Sequence, residues 1–256
     1  MGSQSLLWTI TSPEQQESWL FGTMHIRDER AHQLNENLYP LILKSDAFVG
    51  EMDLSPPSDA MLNMTYDARS FIKEGPFDKL HHQILKSFRI DLLHYNHLHP
   101  LMIMSAISAS VLQSEHLISL DEHLWNFAKE NRKMMLGLES YEEQFQLLHS
   151  LDIGPLYKQL QAIGRSPSKV RHHTTRGLNF YMTGNIHELY ILSKSSMHDL
   201  RKKIIYERNI RMASRIMQLD QSLQYFITVG AGHLSGKTGI ISILKHSGFT
   251  VKPIHI

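Results

Sequence analysis

Short apolar segments alternate with a longer amphipathic segment over the first part of the chain. Leu6–Ile10 and Trp19–Phe21 combine apolar and β-favouring side chains, which is typical of strands. Between residues 27 and 44, apolar side chains recur at the spacing of an amphipathic helix, and Asp46–Gly50 then has the composition of a buried strand. The order strand, helix, strand predicts a right-handed crossover in a mostly parallel sheet.

The same alternation returns at the end of the chain. Tyr225–Val229 is a short apolar segment, a helix is predicted over 237–246, and Gly248 stands where a helix-ending glycine is expected. Phe249–Ile254 follows as a last strand, so the stretch predicts a βαβ unit. With a further strand at 133–138, the pattern predicts an α/β fold with a mostly parallel central sheet.

The middle of the chain is helical in pattern. Residues from about 58 to 220 are predicted to form a large helical insertion, and we expect a single domain over residues 1–256. Ser140 is predicted to be the N-cap of one helix, with Glu143 at the capping-box position. The segment 164–168 is rich in Gly, Ser and Pro, which predicts a mobile surface loop.

Amino-acid composition restricts which partners, metal ligands and nucleophiles the protein can use, and it says less about the fold. The sequence holds 26 Lys and Arg against 25 Asp and Glu without a basic tract, so no nucleic-acid partner is expected. The absence of cysteine excludes thiolate metal sites and cysteine nucleophiles, so a bound metal would need His, Asp or Glu. No signal peptide or transmembrane segment is apparent, and we expect a soluble protein as the sequence stands. The sequence specifies neither the compartment nor the oligomeric state.

Three ionisable residues stand just beyond predicted strands. His25 and His233 each close a Gly-x-x-His motif, and Glu51 directly follows the strand at 46–50. Because loops at the carboxyl ends of parallel strands converge, we expect these residues to share one pocket. Two imidazoles and a carboxylate can bind a divalent metal that acidifies a water molecule. Alternatively, the same groups can perform metal-free hydrolysis, with a histidine as general base and Glu51 orienting it.

The glycines of the two motifs, Gly22, Gly230 and Gly232, are expected to permit close backbone approach or a positive φ at the strand ends. Asp53 lies one pleat beyond Glu51, and it is either an accessory pocket residue or a solvated, helix-capping acid.

Structural explanations compete with the functional ones. With 17 histidines in the sequence, most must be surface or core residues. Arg208, Arg211 and Arg215 share one face of a predicted helix, and such a face is usually solvated. One of the three could instead face the pocket and bind a carboxylate or an oxyanion.

Residues 230–238 also approach the phosphate-binding pattern G-x-x-x-x-G-K-[ST]. The match fails because Ala231 stands where the pattern needs glycine, and because no acidic residue follows to hold magnesium. Lys237 and Thr238 are therefore predicted to form the first turn of a surface helix.

Taken together, the motifs resemble the TraB/GumN family, which includes the TIKI-type proteases and is related to the erythromycin esterase and ChaN-like group. The resemblance covers nearly the whole chain, with the motifs in a fixed order. The segments that carry it are 6–10, 19–25, 48–53, 120–124, 136–144, 207–212, 229–236 and 248–251.

The resemblance implies an erythromycin-esterase-like and ChaN-like fold, and a pocket with two histidines, one Glu and one Arg. In this sequence those residues are His25, His233, Glu51 and Arg208. Glu139 matches a further family position, for which we expect an accessory role in the pocket wall or in structure. For the TIKI members, the resemblance implies metal-dependent hydrolysis.

We therefore expect a metal-dependent hydrolase whose preferred substrate is a peptide bond, with a small molecule as the alternative substrate. Mn, Co or Zn would be held by His25, Glu51 and His233, and the other role open to Glu51 is that of general base. Arg208 would steady a substrate carboxylate or an oxyanion. Two other interpretations stay open: a non-catalytic protein that binds a peptide or signal in the same pocket, and a metal-independent esterase that works through His25 or His233.

Overall fold

The computed structural model describes most of the chain. The described residues are 4–12, 16–25, 27–54, 73–95, 97–112, 118–197 and 200–256. The predicted start of the helical insertion, at about residue 58, lies outside them.

The chain forms two compact units, each of which draws on separate stretches of sequence. The first comprises Met1–Ser55, Ser114–Gln144 and Gly177–Ile256, and the second comprises Pro56–Gln113 and Phe145–Arg176. A single domain over the whole chain stays a prediction.

A six-stranded sheet forms the core of the first unit. The strands are β1 Leu7–Thr11, β2 Ser18–Thr23, β3 Ala47–Met52, β4 Met134–Glu139, β5 Tyr225–Gly230 and β6 Thr250–Ile254. Their spatial order is β4-β3-β5-β2-β1-β6. The four strands from β4 to β2 run parallel, whereas β1 is antiparallel to both β2 and β6. The α/β fold with a mostly parallel sheet is therefore confirmed.

The centre of the sheet is apolar on both faces. Every residue of β2 is buried, as are the first four residues of β3. The rings of Phe21 and Phe48 flank the ring of Phe226 on β5, with centroids 6.4 and 5.9 Å away. Trp125 meets Phe48 edge-on at 6.0 Å. Such near-continuous burial is typical of parallel strands that are covered on both sides, and it fixes the register of the strands that carry the candidate site.

Helices account for most of the remaining described residues. They are α1 Glu29–His32, α2 Asn35–Lys44, α3 Glu74–Phe88, α4 Leu92–Tyr95, α5 Pro100–Val111, α6 Leu120–Glu130, α7 Tyr141–His149, α8 Ile153–Arg165, α9 Pro167–Met182, α10 Ile186–Met197, α11 Arg208–Met217 and α12 Ile240–His246. A π-helical segment, Lys202–Glu207, directly precedes α11, and a 3₁₀ turn, Ala231–His233, follows β5. Among the described residues, no helix is long and apolar enough to cross a membrane.

The second unit has its own apolar core. Phe77, Leu80 and Ile84 lie on one face of α3, and they pack with Ile103 of α5 and Leu160 of α8. The residues on α3 recur at the three- and four-residue spacing of an amphipathic helix.

The prediction of a mobile surface loop at residues 164–168 is wrong. Ser166 alone separates α8 from α9, and Pro167 is the first residue of α9, a position that suits proline because its missing N–H is not needed there. A Cβ at Gly164 would lie 2.9 Å from the side chain of Leu80, so this glycine serves close helix packing. Gly, Ser and Pro therefore mark a junction between two helices.

Two predicted helix starts also differ from the structure. The helix predicted over 27–44 is divided, because α1 ends at His32 and α2 begins at Asn35. Lys237 and Thr238 lie in a turn, and α12 begins at Ile240 with Gly239 as its N-cap.

The predicted capping box of α7 is confirmed. The Glu143 carboxylate accepts a hydrogen bond from Ser140 N at 2.8 Å, and Ser140 Oγ accepts one from Glu143 N at 3.1 Å. This arrangement satisfies backbone donors that the start of a helix leaves unpaired.

Candidate active site

Four neighbouring strand ends carry the candidate residues. Glu139 is the last residue of β4, Glu51 lies in β3, and His233 and His25 follow β5 and β2. The register aligns Met52 with Glu139 in one strand pair, and Thr23 with Gly230 in another. The sheet therefore presents all four side chains at one edge, where loops after parallel strands form binding sites.

Arg208 binds two of these carboxylates. Its Nε donates to Glu139 at 2.9 Å, and its Nη2 donates to Glu139 at 2.6 Å and to Glu51 at 2.5 Å. Arg208 is 8% exposed and Glu139 is 2% exposed. Buried charges are stable only when they are paired and hydrogen-bonded, so the three side chains form one interdependent cluster.

The pairing of Glu51 with Arg208 favours the charged form of each. Burial alone would raise the pKa of Glu51, but positive charge on His233 and Arg208, with hydrogen bonds from Gly230 N and Arg208, lowers that pKa to about 2. His233 contributes to this effect only as an imidazolium. Burial opposes the charge on Arg208, but Glu51 and Glu139 outweigh it and raise the Arg208 pKa. Glu51 is therefore an anion, and Arg208 a cation, at neutral pH.

His233 is buried next to this cluster. Its Nε2 lies 3.9 Å from Glu51 Oε1 and 3.5 Å from Arg208 Nη1. On the other side of the ring, Nδ1 lies 2.6 Å from Asn209 Oδ1. Burial lowers the pKa of His233; Glu51 opposes this shift and Arg208 adds to it. The neutral imidazole is therefore favoured.

His25 has a different environment. Its Nδ1 lies 2.7 Å from Asp121 Oδ2 of α6, and its side chain is 73% exposed. The hydrogen bond to Asp121 is the main cause that raises the pKa of His25. The structure thus brings Glu51, Arg208 and His233 into mutual contact and pairs His25 with Asp121. A shared catalytic role for all four residues stays a prediction.

The two accessory residues are placed differently. Glu139 lies at the centre of the charge cluster, since it binds Arg208, accepts from Arg211 Nη2 at 3.3 Å and faces Gln144 Nε2 at 3.3 Å. Asp53 extends the pairing of β3 with β4, because its N donates to Glu139 O at 3.2 Å.

Close packing explains two of the motif glycines. A Cβ at Gly22 would lie 2.6 Å from Leu234 Cδ1 and 3.1 Å from Ala231 Cα, so the two motifs approach each other too closely for a side chain. A Cβ at Gly230 would lie 3.2 Å from Glu51 Oε2. At Gly232, no atom of the described residues lies within 4 Å of such a Cβ, so the predicted need for glycine there does not follow from packing.

Comparison with known proteins gives the family. The sequence profile of the TraB/PrgY/gumN family matches residues 6–253. The chain belongs to this family. The match includes both Gly-x-x-His motifs and every residue of the charge cluster.

The named relatives of this TraB/PrgY/gumN chain are distant. It is 22% identical to a metalloprotease TIKI homolog of Nematostella vectensis over 59% of the chain and 39% of the relative. It is 21% identical to metalloprotease TIKI2 of Xenopus tropicalis (97% of the chain, 59% of the relative) and 21% identical to metalloprotease TIKI1 of Homo sapiens (98% and 63%). The chain thus spans less than two thirds of the length of these relatives. No solved structure matches it.

The imidazole nitrogens and the carboxylate at this site are ligand types that divalent metals accept. Both motif histidines have Nδ1 next to a side-chain oxygen, from Asp121 or Asn209, and metal-binding histidines are oriented in this way by their second ring nitrogen. Glu51 adds a carboxylate. As the side chains stand, the described part of the chain contains no group of three or more His, Asp or Glu residues placed to hold a metal ion.

Sequence reasoning missed Asp121 and Asn209. Both lie in segments that carry the family resemblance, 120–124 and 207–212, and Asn209 directly follows Arg208. The only sequence signal for either residue is therefore that a polar side chain stands within a segment that resembles the family. Its partner could not be deduced, because each residue lies on a helix whose orientation depends on packing against the sheet.

Proposed function

We propose that this TraB/PrgY/gumN protein is a metal-dependent hydrolase whose preferred substrate is a peptide. The supporting observation is the contact of Glu51 and His233 with Arg208 at the carboxyl ends of parallel strands. The relatives named metalloproteases support the same reaction class. A small-molecule substrate is the alternative within this class.

His25, Glu51 and His233 would hold the metal, for which Mn, Co and Zn are the candidates. When bound, a divalent metal acidifies water and polarises a carbonyl group. The guanidinium of Arg208 and the hydrogen bond from Gly230 N lower the pKa of Glu51 and make it a weak base, so Glu51 suits the role of ligand better than that of general base.

Arg208 would contribute through its remaining donors. Nε and Nη2 are engaged by Glu139 and Glu51, whereas Nη1 faces His233 Nε2 at 3.5 Å. The Nη1 hydrogen that does not face His233 is therefore the one that would stabilise an oxyanion or a substrate carboxylate. Glu139 would hold the guanidinium in place.

The test compares metal retention with turnover. The purified protein is loaded in turn with Mn, Co and Zn, desalted, analysed for bound metal and incubated with a peptide library, with and without chelator. We expect about one retained metal per chain, chelator-sensitive cleavage, and loss of both in Glu51→Gln. His246→Ala, which changes an exposed histidine on α12, should behave as the wild type. If the protein retains none of the three metals and cleaves no peptide with any of them, the proposal is refuted.

The pairing of His25 with Asp121 favours a second candidate, metal-independent ester hydrolysis. A carboxylate that orients Nδ1 leaves Nε2 available as a general base. In that case cleavage of small esters would resist chelator and would fall in both His25→Ala and Asp121→Asn. Binding of an intact peptide without any cleavage would instead favour the non-catalytic interpretation.

A further inference from the structure

Asn209 connects His233 to the loop that follows β5. It lies on α11, directly after Arg208, and is 1% exposed. Its Nδ2 donates to Thr238 O at 2.7 Å, and its Oδ1 lies 2.6 Å from His233 Nδ1. Both ends of the amide are therefore engaged inside the protein.

The partners determine which way the amide faces. Thr238 O is a carbonyl oxygen and can only accept, so the NH₂ group of Asn209 must point to it. Reversing the amide would place two oxygens 2.7 Å apart in a buried site, which would cost a hydrogen bond and add repulsion. Oδ1 therefore points to His233, and because Oδ1 can only accept, His233 Nδ1 must carry a hydrogen.

The opposite side of the ring agrees with this assignment. Arg208 Nη1, 3.5 Å from His233 Nε2, is a donor, and a guanidinium has no acceptor. A neutral imidazole with its hydrogen on Nδ1 presents a lone pair to Arg208, whereas the other tautomer would bring two N–H groups together. Asn209 and Arg208 therefore favour the same tautomer through different atoms.

We infer that Asn209 is a positioning residue that fixes His233 as the Nδ1-protonated tautomer and directs the Nε2 lone pair to the site shared with Glu51 and Arg208. A lone pair at that position can bind a cation or accept a proton, and an N–H group can do neither. A histidine side chain in water carries its hydrogen mainly on Nε2, so the protein reverses the intrinsic preference. The consequence for catalysis rests on the proposed function, but the tautomer does not.

The tautomer is measured directly by nitrogen NMR. Protein with ¹⁵N-labelled histidine is recorded at about pH 8, above the ordinary histidine pKa of about 6.5, and the His233 signals are identified by their absence from His233→Gln. We expect the wild type to show a protonated Nδ1 and an unprotonated Nε2. Asn209→Asp should keep this pattern, because a carboxylate also accepts from Nδ1, whereas Asn209→Leu should lose it. Asn126→Leu, a change at an exposed position on α6, should leave the pattern intact.

A protonated Nε2 in the wild type would overturn the inference, even if Asn209→Leu does not fold. An unchanged Nδ1-protonated signal in folded Asn209→Leu would overturn it as well. If hydrolysis is found, kcat should fall about 10- to 100-fold in Asn209→Leu with little change in KM, as for other residues that orient a ligand, and Asn209→Asp should recover most of it. The expected tautomer without any hydrolysis would support the inference while removing the proposed function.

Discussion

The two Gly-x-x-His motifs have the same spacing and lie after neighbouring parallel strands, but their histidines differ in exposure, in the charge of their partners and in the direction of their pKa shifts. His25 is mostly exposed and pairs with a carboxylate, which raises its pKa. His233 is buried, contacts an amide oxygen and lies beside Arg208, and its pKa is lowered. The motif therefore determines where the imidazole is placed, and the neighbouring helix determines its chemistry.

The difference originates in what covers each strand end. The segment 207–212 supplies both Arg208 and Asn209, so His233 is enclosed by a cation and an amide from one helix. Asp121 on α6 leaves His25 open to solvent. We call His233 with Arg208, Asn209, Glu51 and Glu139 the buried half of the site, and His25 with Asp121 the exposed half. Substitutions in the buried half should affect stability. Substitutions in the exposed half should affect activity with little effect on folding.

The largest expected effect comes from removing the cation of the buried half. Arg208→Met deprives Glu51 and Glu139 of the cation that they share, which should lower the free energy of unfolding by about 3–5 kcal/mol. Urea denaturation followed by circular dichroism measures this. Arg211→Ala, which removes a more exposed partner of Glu139, should cost at most about 1 kcal/mol. Equal losses in the two variants would contradict the buried cluster.

The second-largest expected effect is a loss of unfolding free energy in acid, which also comes from the buried half. The pKa of Glu51 is about 2 in the folded protein, against 4.5 for a glutamate that nothing perturbs, so its contribution is complete above the unfolded pKa and is lost as the pH falls through about 2. The shift corresponds to about 3 kcal/mol. Unfolding free energies measured from about pH 6 down to the lowest pH that keeps the protein folded should fall less steeply for Glu51→Gln than for the wild type. Parallel curves would show that Glu51 is not held as an anion.

The two histidines themselves give a direct comparison. His233→Ala leaves Asn209 Oδ1 without its partner and opens a cavity, so it should cost about 1–3 kcal/mol. His25→Ala should change stability by no more than about 0.5 kcal/mol, while still reducing any hydrolysis. Thermal melts and activity assays on both variants separate the effects. A stability loss as large for His25→Ala as for His233→Ala would remove the distinction.

The smallest effect concerns a feature outside both motifs. Ser140→Ala removes half of the α7 capping box and should cost about 1 kcal/mol. Metal retention and hydrolysis should be unaffected, because the box contacts neither histidine. A loss of activity with unchanged stability would show that this helix start contributes to the site.

The strands and the capping box could be predicted because their signals are local. The apolar segments gave the positions of all six strands, and the spacing of Ser140 and Glu143 gave the start of α7. The placement of Glu51 and His233 at one edge could be predicted because each stands at the carboxyl end of a predicted strand, where the loops of a parallel sheet converge.

The remaining features depend on long-range packing. Glu139 binds Arg208 because β4 pairs with β3, and no sequence pattern states which strands are neighbours. The partners of the two histidines depend on how α6 and α11 are oriented on the sheet. The composition of residues 164–168 suits a loop as well as a helix junction, and the junction is set by the packing of the two helices, as the close approach of Gly164 to Leu80 shows.

The position of β5 has a consequence for how the protein is made. This strand is the fifth along the chain, yet it lies between β3 and β2. Until Tyr225–Gly230 has been synthesised, β3 with β4 and β2 with β1 are separate pieces, each with an unpaired strand edge. Such non-local pairing is slow to form. Glu51 and His25 therefore meet at the same edge only when β5, which also brings His233, has joined the sheet, so the candidate site cannot form before β5 is in place.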